Sequence, residues 1–146
     1  AAGLANGTAR VWEAATGAQQ HTLEIEREED QAPSAVTHVA FSPHGETLAC
    51  GAADGSIHLW DMNAGTLLDT WEGRPVNSMT FSPDGALLAT GSDEGTVIVW
   101  HVEDGTLLHT LVGHTTCVNG LAFSSDGTTL TTGAADGTLR VWQVVD

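Results

Sequence analysis

Residues 123–142 read FSSDGTTLTTGAADGTLRVW, and the same frame occurs twice more, as FSPDGALLATGSDEGTVIVW at 81–100 and FSPHGETLACGAADGSIHLW at 41–60. In all three stretches the phenylalanine precedes the tryptophan by 19 residues. A fourth alternating run ends at Trp12, which lies 48 residues before Trp60. Trp100 and Trp142 follow at intervals of 40 and 42 residues. Equal separations with similar residues between them indicate an internal structural repeat.

Each repeat is typical of four short β-strands. In the last repeat an apolar-rich run, 118–123, ends at the turn sequence Ser125-Asp126-Gly127. A threonine-rich run, 128–134, ends at Asp136-Gly137, a strong hairpin signal because both turn positions tolerate positive φ. Residues 138–144 alternate, and no 3.6-residue period is present. The sequence therefore predicts an all-β fold with four antiparallel strands per repeat.

The charge of the chain is one-sided, since 19 acidic residues stand against 4 basic ones for a formal net charge of −15. Affinity for nucleic acid comes mainly from neutralising phosphates with Lys and Arg, so we expect no direct binding to DNA or RNA. A basic protein segment fits this charge better, although acidity also keeps a protein in solution. No run of about 18 apolar residues is present, so the sequence predicts no membrane span.

The repeat resembles the WD-repeat family of β-propellers. The resemblance covers nearly the whole chain and implies a β-propeller of four-stranded antiparallel blades, whose strands we letter a to d from the central channel outward. Its motifs are specific to this architecture and carry almost no information about the partner. The sequence pieces that carry it are Gly113-His114, Phe123-Ser124-Ser125-Asp126-Gly127, Ala135-Asp136-Gly137-Thr138 and Val141-Trp142, with a literal Trp60-Asp61 in another repeat.

The repeat divides the chain into two complete blades between two partial ones. Residues 1–32 hold strands c and d of a first blade and an acidic connecting loop, with the end of strand b before them. Residues 33–72 and 73–112 are complete blades, and 113–146 form a last blade that lacks its outer strand. A seven-bladed ring needs roughly 290 residues at about 42 per blade, so we expect these roughly 3.5 blades to be the C-terminal half of a larger propeller. The rest of that propeller, or alternatively a second copy, would cover the open ends.

The resemblance also implies a structural hydrogen-bond set that ties the outer strands to the loops. In the last blade the set is His114, Thr132, Asp136 and Trp142. A His–Asp pair beside a hydroxyl also fits a hydrolase triad, but here the pair belongs to the repeat and the tryptophan uses the hydroxyl as its acceptor. Neither complete blade has the histidine in register, so we expect less support for their loops.

Other chemistry has little support in the sequence. Seven histidines are spread over strands and loops of different blades, and no pair combines ligand spacing with a Cys or carboxylate partner. Every glycine-rich stretch reads as a strand turn and not as a phosphate-binding loop. We therefore predict no metal site, no cofactor and no catalytic residue.

Function in propellers usually lies on the face loops, and the resemblance implies that the b–c turns and d–a connections form the binding face. The first d–a connection is the longest, because Trp12 to Phe41 spans 29 residues against 21 and 23 in the next two intervals. Its extra residues are largely acidic, which is typical of a solvated loop or of an acidic rim that captures a Lys/Arg-rich peptide. We predict a protein-binding face that contains Glu26, Glu28, Glu29, Asp30, Arg74, Asp93, Glu94, Thr115 and Cys117.

These observations predict a non-catalytic scaffold that assembles a multiprotein complex through the propeller faces. Two alternatives are the sensor propeller of a multidomain ATPase or kinase, and an enzyme that uses the propeller channel. The expected partners are other proteins, with a basic peptide segment as one candidate. Cys50 and Cys117 are too few for a disulfide framework, so we expect an intracellular location, cytoplasmic or nuclear.

Overall fold

A computed structural model describes residues 1–25 and 29–144, which form fourteen β-strands and no helix. The first sheet contains β1 (Ala2–Gly3), β2 (Thr8–Trp12) and β3 (Gln19–Glu24). The second contains β4 (Val36–Phe41), β5 (Thr47–Ala52), β6 (Ser56–Asp61) and β7 (Thr66–Glu72). The third contains β8 (Val76–Phe81), β9 (Leu87–Ser92), β10 (Thr96–His101) and β11 (Leu107–Val112). The fourth contains β12 (Val118–Phe123), β13 (Thr129–Ala134) and β14 (Leu139–Gln143).

Each sheet is an antiparallel meander in which neighbouring strands follow one another along the chain. The two four-stranded sheets therefore present strands a to d in order, which confirms the predicted all-β architecture of four-stranded antiparallel blades. Strands a of neighbouring sheets lie side by side, with β4 next to β8 and β8 next to β12. Side-chain hydrogen bonds link them: the Ser78 hydroxyl donates to the Val118 carbonyl at 2.8 Å, and the Thr37 hydroxyl donates to the Val76 carbonyl at 3.1 Å.

The hairpin between strands b and c depends on an aspartate and a glycine. In the second sheet Asp54 accepts hydrogen bonds at its Oδ1 from the Ser56 amide, at 2.9 Å, and from the Ser56 hydroxyl, at 2.6 Å. Gly55 follows with φ of 92°, a left-handed conformation that favours glycine. A β-carbon on Gly55 would lie 2.6 Å from the carbonyl oxygen of Gly73, so the d–a connection lies directly over this turn.

Three apolar clusters, one for each pair of neighbouring sheets, join the sheets in sequence. Fully burying one Leu, Ile or Val side chain stabilises a fold by about 1.5–3 kcal/mol, so these clusters hold the sheets together. Fully buried members of the three clusters, taken in sheet order, are Leu48, Ile57 with Leu88, and Val97 with Leu130.

Trp71 at the end of strand d is part of this packing. Its indole is buried and stacks on Trp100 of the next sheet, with ring centroids 5.4 Å apart and planes at 20°. Its Nε1–H donates to a carboxylate oxygen of Asp69 at 2.8 Å. Trp71 is therefore an inter-sheet packing residue and not an exposed anchor for a partner.

The outward face of the fourth sheet is apolar and uncovered. Leu139 and Val141 are 77% and 70% exposed, whereas Val97 and Val99, at the same positions of the third sheet, are fully buried. Trp12 is 40% exposed at the other end of the row of sheets. Both ends therefore present side chains that interior sheets bury against a neighbour.

Candidate functional site

The loops of the described sheets fall on two opposite faces. We call the b–c turns and d–a connections the connection face; it contains residues 4–7, 29–35, 53–55, 73–75, 93–95, 113–117 and 135–137. We call the a–b and c–d turns the turn face; it contains residues 13–18, 42–46, 62–65, 82–86, 102–106 and 124–128. All described residues of the predicted binding face except Cys117 carry exposed side chains on the connection face, and Cys117 is half-buried there.

A continuous hydrogen-bond chain crosses the fourth sheet. The Trp142 indole donates to the Thr132 hydroxyl at 2.9 Å, and that hydroxyl lies 2.7 Å from Nε2 of His114. The other ring nitrogen of His114 lies 2.9 Å from the Thr138 hydroxyl, which donates to Asp136 at 2.5 Å. Because an indole only donates and a carboxylate only accepts, Thr132 donates to Nε2 and Nδ1–H donates to Thr138. The structure thus brings the four residues of the predicted set together, with Thr138 as an added link between His114 and Asp136.

The two complete sheets retain less of this chain. In the third sheet the Trp100 indole donates to the Thr90 hydroxyl at 3.3 Å. In the second sheet the buried Trp60 indole nitrogen has no hydrogen-bond partner among the described residues, because Cys50 stands at the position of Thr90 and Thr132. Burial raises the pKa of the Cys50 thiol to about 12, so Cys50 is not a reactive thiolate.

Arg74 and Glu94 form an ion pair across the connection face of the third sheet. Both side chains are more than half exposed, at 51% and 70%, so the pair contributes under about 1 kcal/mol to stability. It fixes the direction of Arg74 toward the b–c turn. Asp93, the preceding residue of that turn, is exposed and contacts neither side chain through a hydrogen bond.

Thr115 and Cys117 make only local contacts. The Thr115 hydroxyl donates to Asp136 at 3.3 Å. The Cys117 thiol donates to the Asn119 side-chain oxygen at 2.8 Å and accepts from the Asn77 amide at 3.2 Å. The first contact joins the d–a connection to the b–c turn, and the Asn77 contact joins strand a of the third sheet to the start of strand a of the fourth.

The acidic connection between the first and second sheets is described only in part. Glu29 and Asp30 lie exposed at its turn, and Glu26 and Glu28 lie outside the described residues. Four exposed carboxylates near the connection face make no hydrogen bond or ion pair with another described residue: Glu29, Asp30, Glu72 and Asp93.

The acidic residues of the turn face are mostly committed to their own loops. Glu13 accepts from the Thr16 hydroxyl at 2.5 Å, and the aspartates accept amide or hydroxyl hydrogen bonds inside their turns. These aspartates are Asp61, Asp84, Asp104 and Asp126. The Glu46 and Glu103 side chains are exposed on the turn face without a hydrogen bond to a described residue, so carboxylates of this kind are present on both faces and more numerous near the connection face.

A cavity of about 370 Å³ lies at the connection face between the first and second sheets. The sequence analysis did not predict this cavity. One signal was present, because strand c of the second sheet has His58 at the position where the third and fourth sheets have Ile98 and Arg140. Residues 31–34 and the first sheet form one wall. The opposite wall carries polar side chains of the second sheet: Asp54, Ser56, His58, Thr70 and Glu72.

His58 is buried in this wall between two hydroxyl groups. One ring nitrogen, Nε2, lies 3.0 Å from the Ser56 hydroxyl oxygen, and Nδ1 lies 3.2 Å from that of Thr70. Burial lowers the pKa of His58, and the Asp54 carboxylate opposes this only in part. Partial burial acts to raise the pKa of Asp54. Hydrogen bonds from Ser56 and the electrostatic effect of the nearby His58 outweigh it, so the pKa lies below its ordinary value. At neutral pH the wall therefore has an uncharged imidazole beside an ionised carboxylate.

The Ser56–His58 contact does not form an activated nucleophile. The Ser56 hydroxyl donates its hydrogen bond to Asp54, so its proton does not point at His58 and His58 is not placed to act as its base. No group of three or more His, Cys, Asp or Glu side chains is placed to bind a metal ion within residues 1–25 and 29–144. The same residues contain no helix long and apolar enough to cross a membrane.

Successive four-stranded antiparallel sheets, with strands a side by side and apolar clusters between sheets, define the class of β-propellers. The family description "WD domain, G-beta repeat" matches residues 20–61, 65–101 and 105–143, so the chain belongs to the WD-repeat family. Each matched segment runs from strand d of one sheet to strand c of the next. One sequence repeat thus contributes strand d to one sheet and strands a to c to the next sheet.

The chain is similar to parts of several longer proteins. WD repeat-containing protein VIP3 from Arabidopsis thaliana is 38% identical over 87 residues, which are 53% of this chain and 27% of that protein. The guanine nucleotide-binding protein subunit beta from Oryza sativa subsp. indica is 33% identical over 81 residues, 49% of this chain and 21% of that protein. The matched region thus amounts to about a quarter of the length of these relatives.

A solved structure shows the same fold. A chain in the crystal structure of a mitotic checkpoint complex superposes with a TM-score of 0.83 at 22% sequence identity, covering 97% of this chain and 43% of that one. Propellers of the WD-repeat family generally act as protein-interaction scaffolds, and they are typically non-catalytic. The predicted membership of the family is confirmed.

Proposed function

We propose that this chain is a non-catalytic scaffold that captures a basic segment of a partner protein on its connection face and so assembles a complex. The observation that carries this proposal is the set of exposed carboxylates near that face that have no hydrogen bond or ion pair with a described residue, Glu29, Asp30, Glu72 and Asp93. A Lys/Arg-rich segment would supply the cations that the chain lacks, since 4 basic residues stand against 19 acidic ones.

The expected energetics are those of exposed ion pairs. Each such pair contributes about 0.2–1 kcal/mol and is screened by salt, so a single contact gives little affinity. Several together would mainly raise the association rate and select against acidic partners. We therefore expect binding whose affinity falls steeply as ionic strength increases.

The ring that presents this face extends, in the proposal, beyond the described sheets. Leu139 and Val141 are exposed where interior sheets bury the same positions, and further WD blades would cover them. The partner segment would then bind a closed propeller, with the connection face of these sheets as part of its rim. The compartment in which this occurs stays an expectation, intracellular, as the two cysteines suggest.

A peptide-binding measurement tests the proposal. The probe is a fluorescently labelled peptide of alternating arginine, lysine and serine, titrated between about 50 and 200 mM salt. Replacing Glu26, Glu28, Glu29 and Asp30 with serine is expected to weaken low-salt binding and flatten the dependence on salt. Unchanged low-salt affinity would overturn the proposal.

A matched pair of variants separates position from net charge. Glu29→Ser with Asp30→Ser removes two charges from the connection face, and Glu46→Ser with Glu103→Ser removes two from exposed positions of the turn face. The first pair is expected to weaken binding more than the second. Equal losses would show that the peptide responds to net charge and not to this face.

A further inference from the structure

We propose that the cavity between the first and second sheets is a subsite for the guanidinium group of one arginine side chain of the partner. The inference rests on the proposed function and names the group that the connection face recognises. It is carried by the cavity, by its acceptor groups and by the way in which the same chain fills the corresponding positions in its other sheets.

The third and fourth sheets place a side chain with N–H donors from the d–a connection against the b–c turn. In the fourth sheet His114, four residues before Val118, contacts Thr138 two residues beyond the turn aspartate. In the third sheet Arg74 pairs with Glu94, which occupies the turn position of that aspartate. An imidazole and a guanidinium thus each reach the b–c turn of their own sheet, the first at Thr138 and the second at Glu94.

In the second sheet the turn groups have no such side chain against them from the described residues of the d–a connection. Asp54 and Ser56 stand at the positions of Asp136 and Thr138, and both line the cavity. Ala32 lies four residues before Val36, as His114 does before Val118, and also lines the cavity. At the position that His114 occupies in the fourth sheet, an alanine faces about 370 Å³ of space.

The cavity wall is rich in acceptors for a cation. The Asp54 carboxylate accepts the two Ser56 hydrogen bonds on Oδ1 and is also hydrogen-bonded by the Ser34 side chain, and it keeps its negative charge at the cavity. Glu72 is exposed and makes no hydrogen bond with a described side chain. Because the Ser56 hydroxyl donates to Asp54, it accepts from Nε2–H of the neutral His58 ring. The Thr70 O–H then donates to Nδ1, and the Thr70 oxygen can still accept. His58 brings no opposing charge, because burial keeps its imidazole neutral.

The spacing of these acceptors over one wall favours a guanidinium over an ammonium group. A guanidinium has five donors in a rigid plane and can bind carboxylates through two parallel hydrogen bonds, whereas an ammonium acts as a compact, strongly hydrated point charge. Two carboxylates and two hydroxyls along one wall offer separate acceptors to several donors at once. We therefore expect arginine to be preferred over lysine at this subsite.

The test compares two labelled peptides of the same length and charge, one with arginine and one with lysine at every basic position. Wild-type chain is expected to bind the arginine peptide about fivefold or more tightly, as charge-assisted hydrogen bonds in a partly buried site allow. Ala32→Arg places a guanidinium of the chain itself at the cavity and is expected to abolish this preference. Ala64→Arg makes the same substitution at an exposed position of the turn face and should retain it.

A second variant changes the site without filling it. Glu72→Gln is expected to weaken arginine-peptide binding by about twofold to fivefold, as for an exposed ion pair, while Glu46→Gln on the turn face leaves it unchanged. Equal affinities for the two peptides in the wild type, or equal behaviour of Ala32→Arg and Ala64→Arg, would overturn the subsite. If the Glu26, Glu28, Glu29 and Asp30 variant still loses binding in that case, the proposed function stands without this subsite.

Discussion

At the level of single residues, the tryptophan in strand c shows how one side-chain oxygen supports a blade. Trp100 and Trp142 each donate to a threonine hydroxyl. The buried Trp60 indole lies in a sheet where Cys50 replaces that threonine. A buried donor without an acceptor costs about 1–3 kcal/mol. The second sheet is therefore held less firmly at this position than its neighbours.

Cys50→Thr is expected to stabilise the chain by about 1 kcal/mol, because it supplies the missing acceptor for Trp60. The free energy of unfolding, from urea titration followed by tryptophan fluorescence, is the measurement. Cys117→Thr is the matched control, at a half-buried site with its own partners, and should change stability by less than about 0.5 kcal/mol. A Cys50→Thr chain no more stable than wild type would contradict the hydrogen-bond explanation.

Two turn aspartates link stability to acid pH. Hydrogen bonds from Ser124 and Thr128 lower the pKa of Asp126 to about 2, and those from Thr138 lower the pKa of Asp136 to about 2, from an ordinary 3.8. Both groups are therefore easier to ionise in the folded chain, and their contribution is present above about pH 4. It is lost as pH falls toward about 2, because the unfolded chain takes up those protons first.

Urea titrations at several pH values between about 5 and 2 test this. Asp126→Asn together with Asp136→Asn should flatten the decline in stability within that window. Asp93→Asn, at an exposed carboxylate without a hydrogen bond to a described residue, is the control and should leave the decline as steep as in wild type. A double variant with an unchanged decline would show that these turns do not couple folding to protonation.

At the level of strands and turns, the b–c glycine decides how closely the d–a connection can approach. Gly55 has φ of 92° and Gly45 has φ of 74°, so both substitutions to alanine carry the cost of a left-handed backbone, about 1–2 kcal/mol. Only at Gly55 would the new β-carbon also meet backbone, 2.6 Å from the Gly73 carbonyl oxygen, since Gly45 has open space around it.

Gly55→Ala is therefore expected to destabilise the chain more than Gly45→Ala. The difference between their unfolding free energies isolates the contact between turn and connection, because the backbone cost is common to both. Equal destabilisation of the two variants would mean that the d–a connection moves freely away from the turn.

The sequence allowed the strands and turns to be predicted because their signals are local. The 19-residue interval from Phe to Trp spans strands b and c, and each Asp-Gly pair marks a hairpin whose aspartate caps the turn. Thr138 was missed as a link because it joins His114 only after the d–a connection folds over the turn. The cavity beside His58 depends on the space between two sheets, which no spacing along the chain reveals.

For the molecule as a whole, the main feature is that the row of sheets has an exposed apolar face at its end. Leu139 and Val141 occupy the positions that Val97 and Val99 fill inside the row of sheets, yet only the latter are buried. Exposed side chains contribute little to the unfolding free energy of this chain. Buried side chains contribute to it both through their transfer from water and through packing contacts.

Replacing Leu139 and Val141 with serine is expected to change the unfolding free energy of this chain by less than about 0.5 kcal/mol. The corresponding pair, Val97→Ser with Val99→Ser, should cost more than about 3 kcal/mol because it places hydroxyls in the core. A large loss for the Leu139 and Val141 variant would show that something covers this face. Native mass spectrometry would then tell whether a second copy does.

The proposal that the connection face is the binding face is tested most directly by amide hydrogen exchange with and without the arginine-rich peptide. Bound peptide is expected to slow exchange in residues 29–35, 53–55 and 93–95, and to leave the turn-face loops 42–46, 82–86 and 124–128 unchanged. Slowed exchange confined to the turn-face loops, with the connection face unaffected, would contradict it.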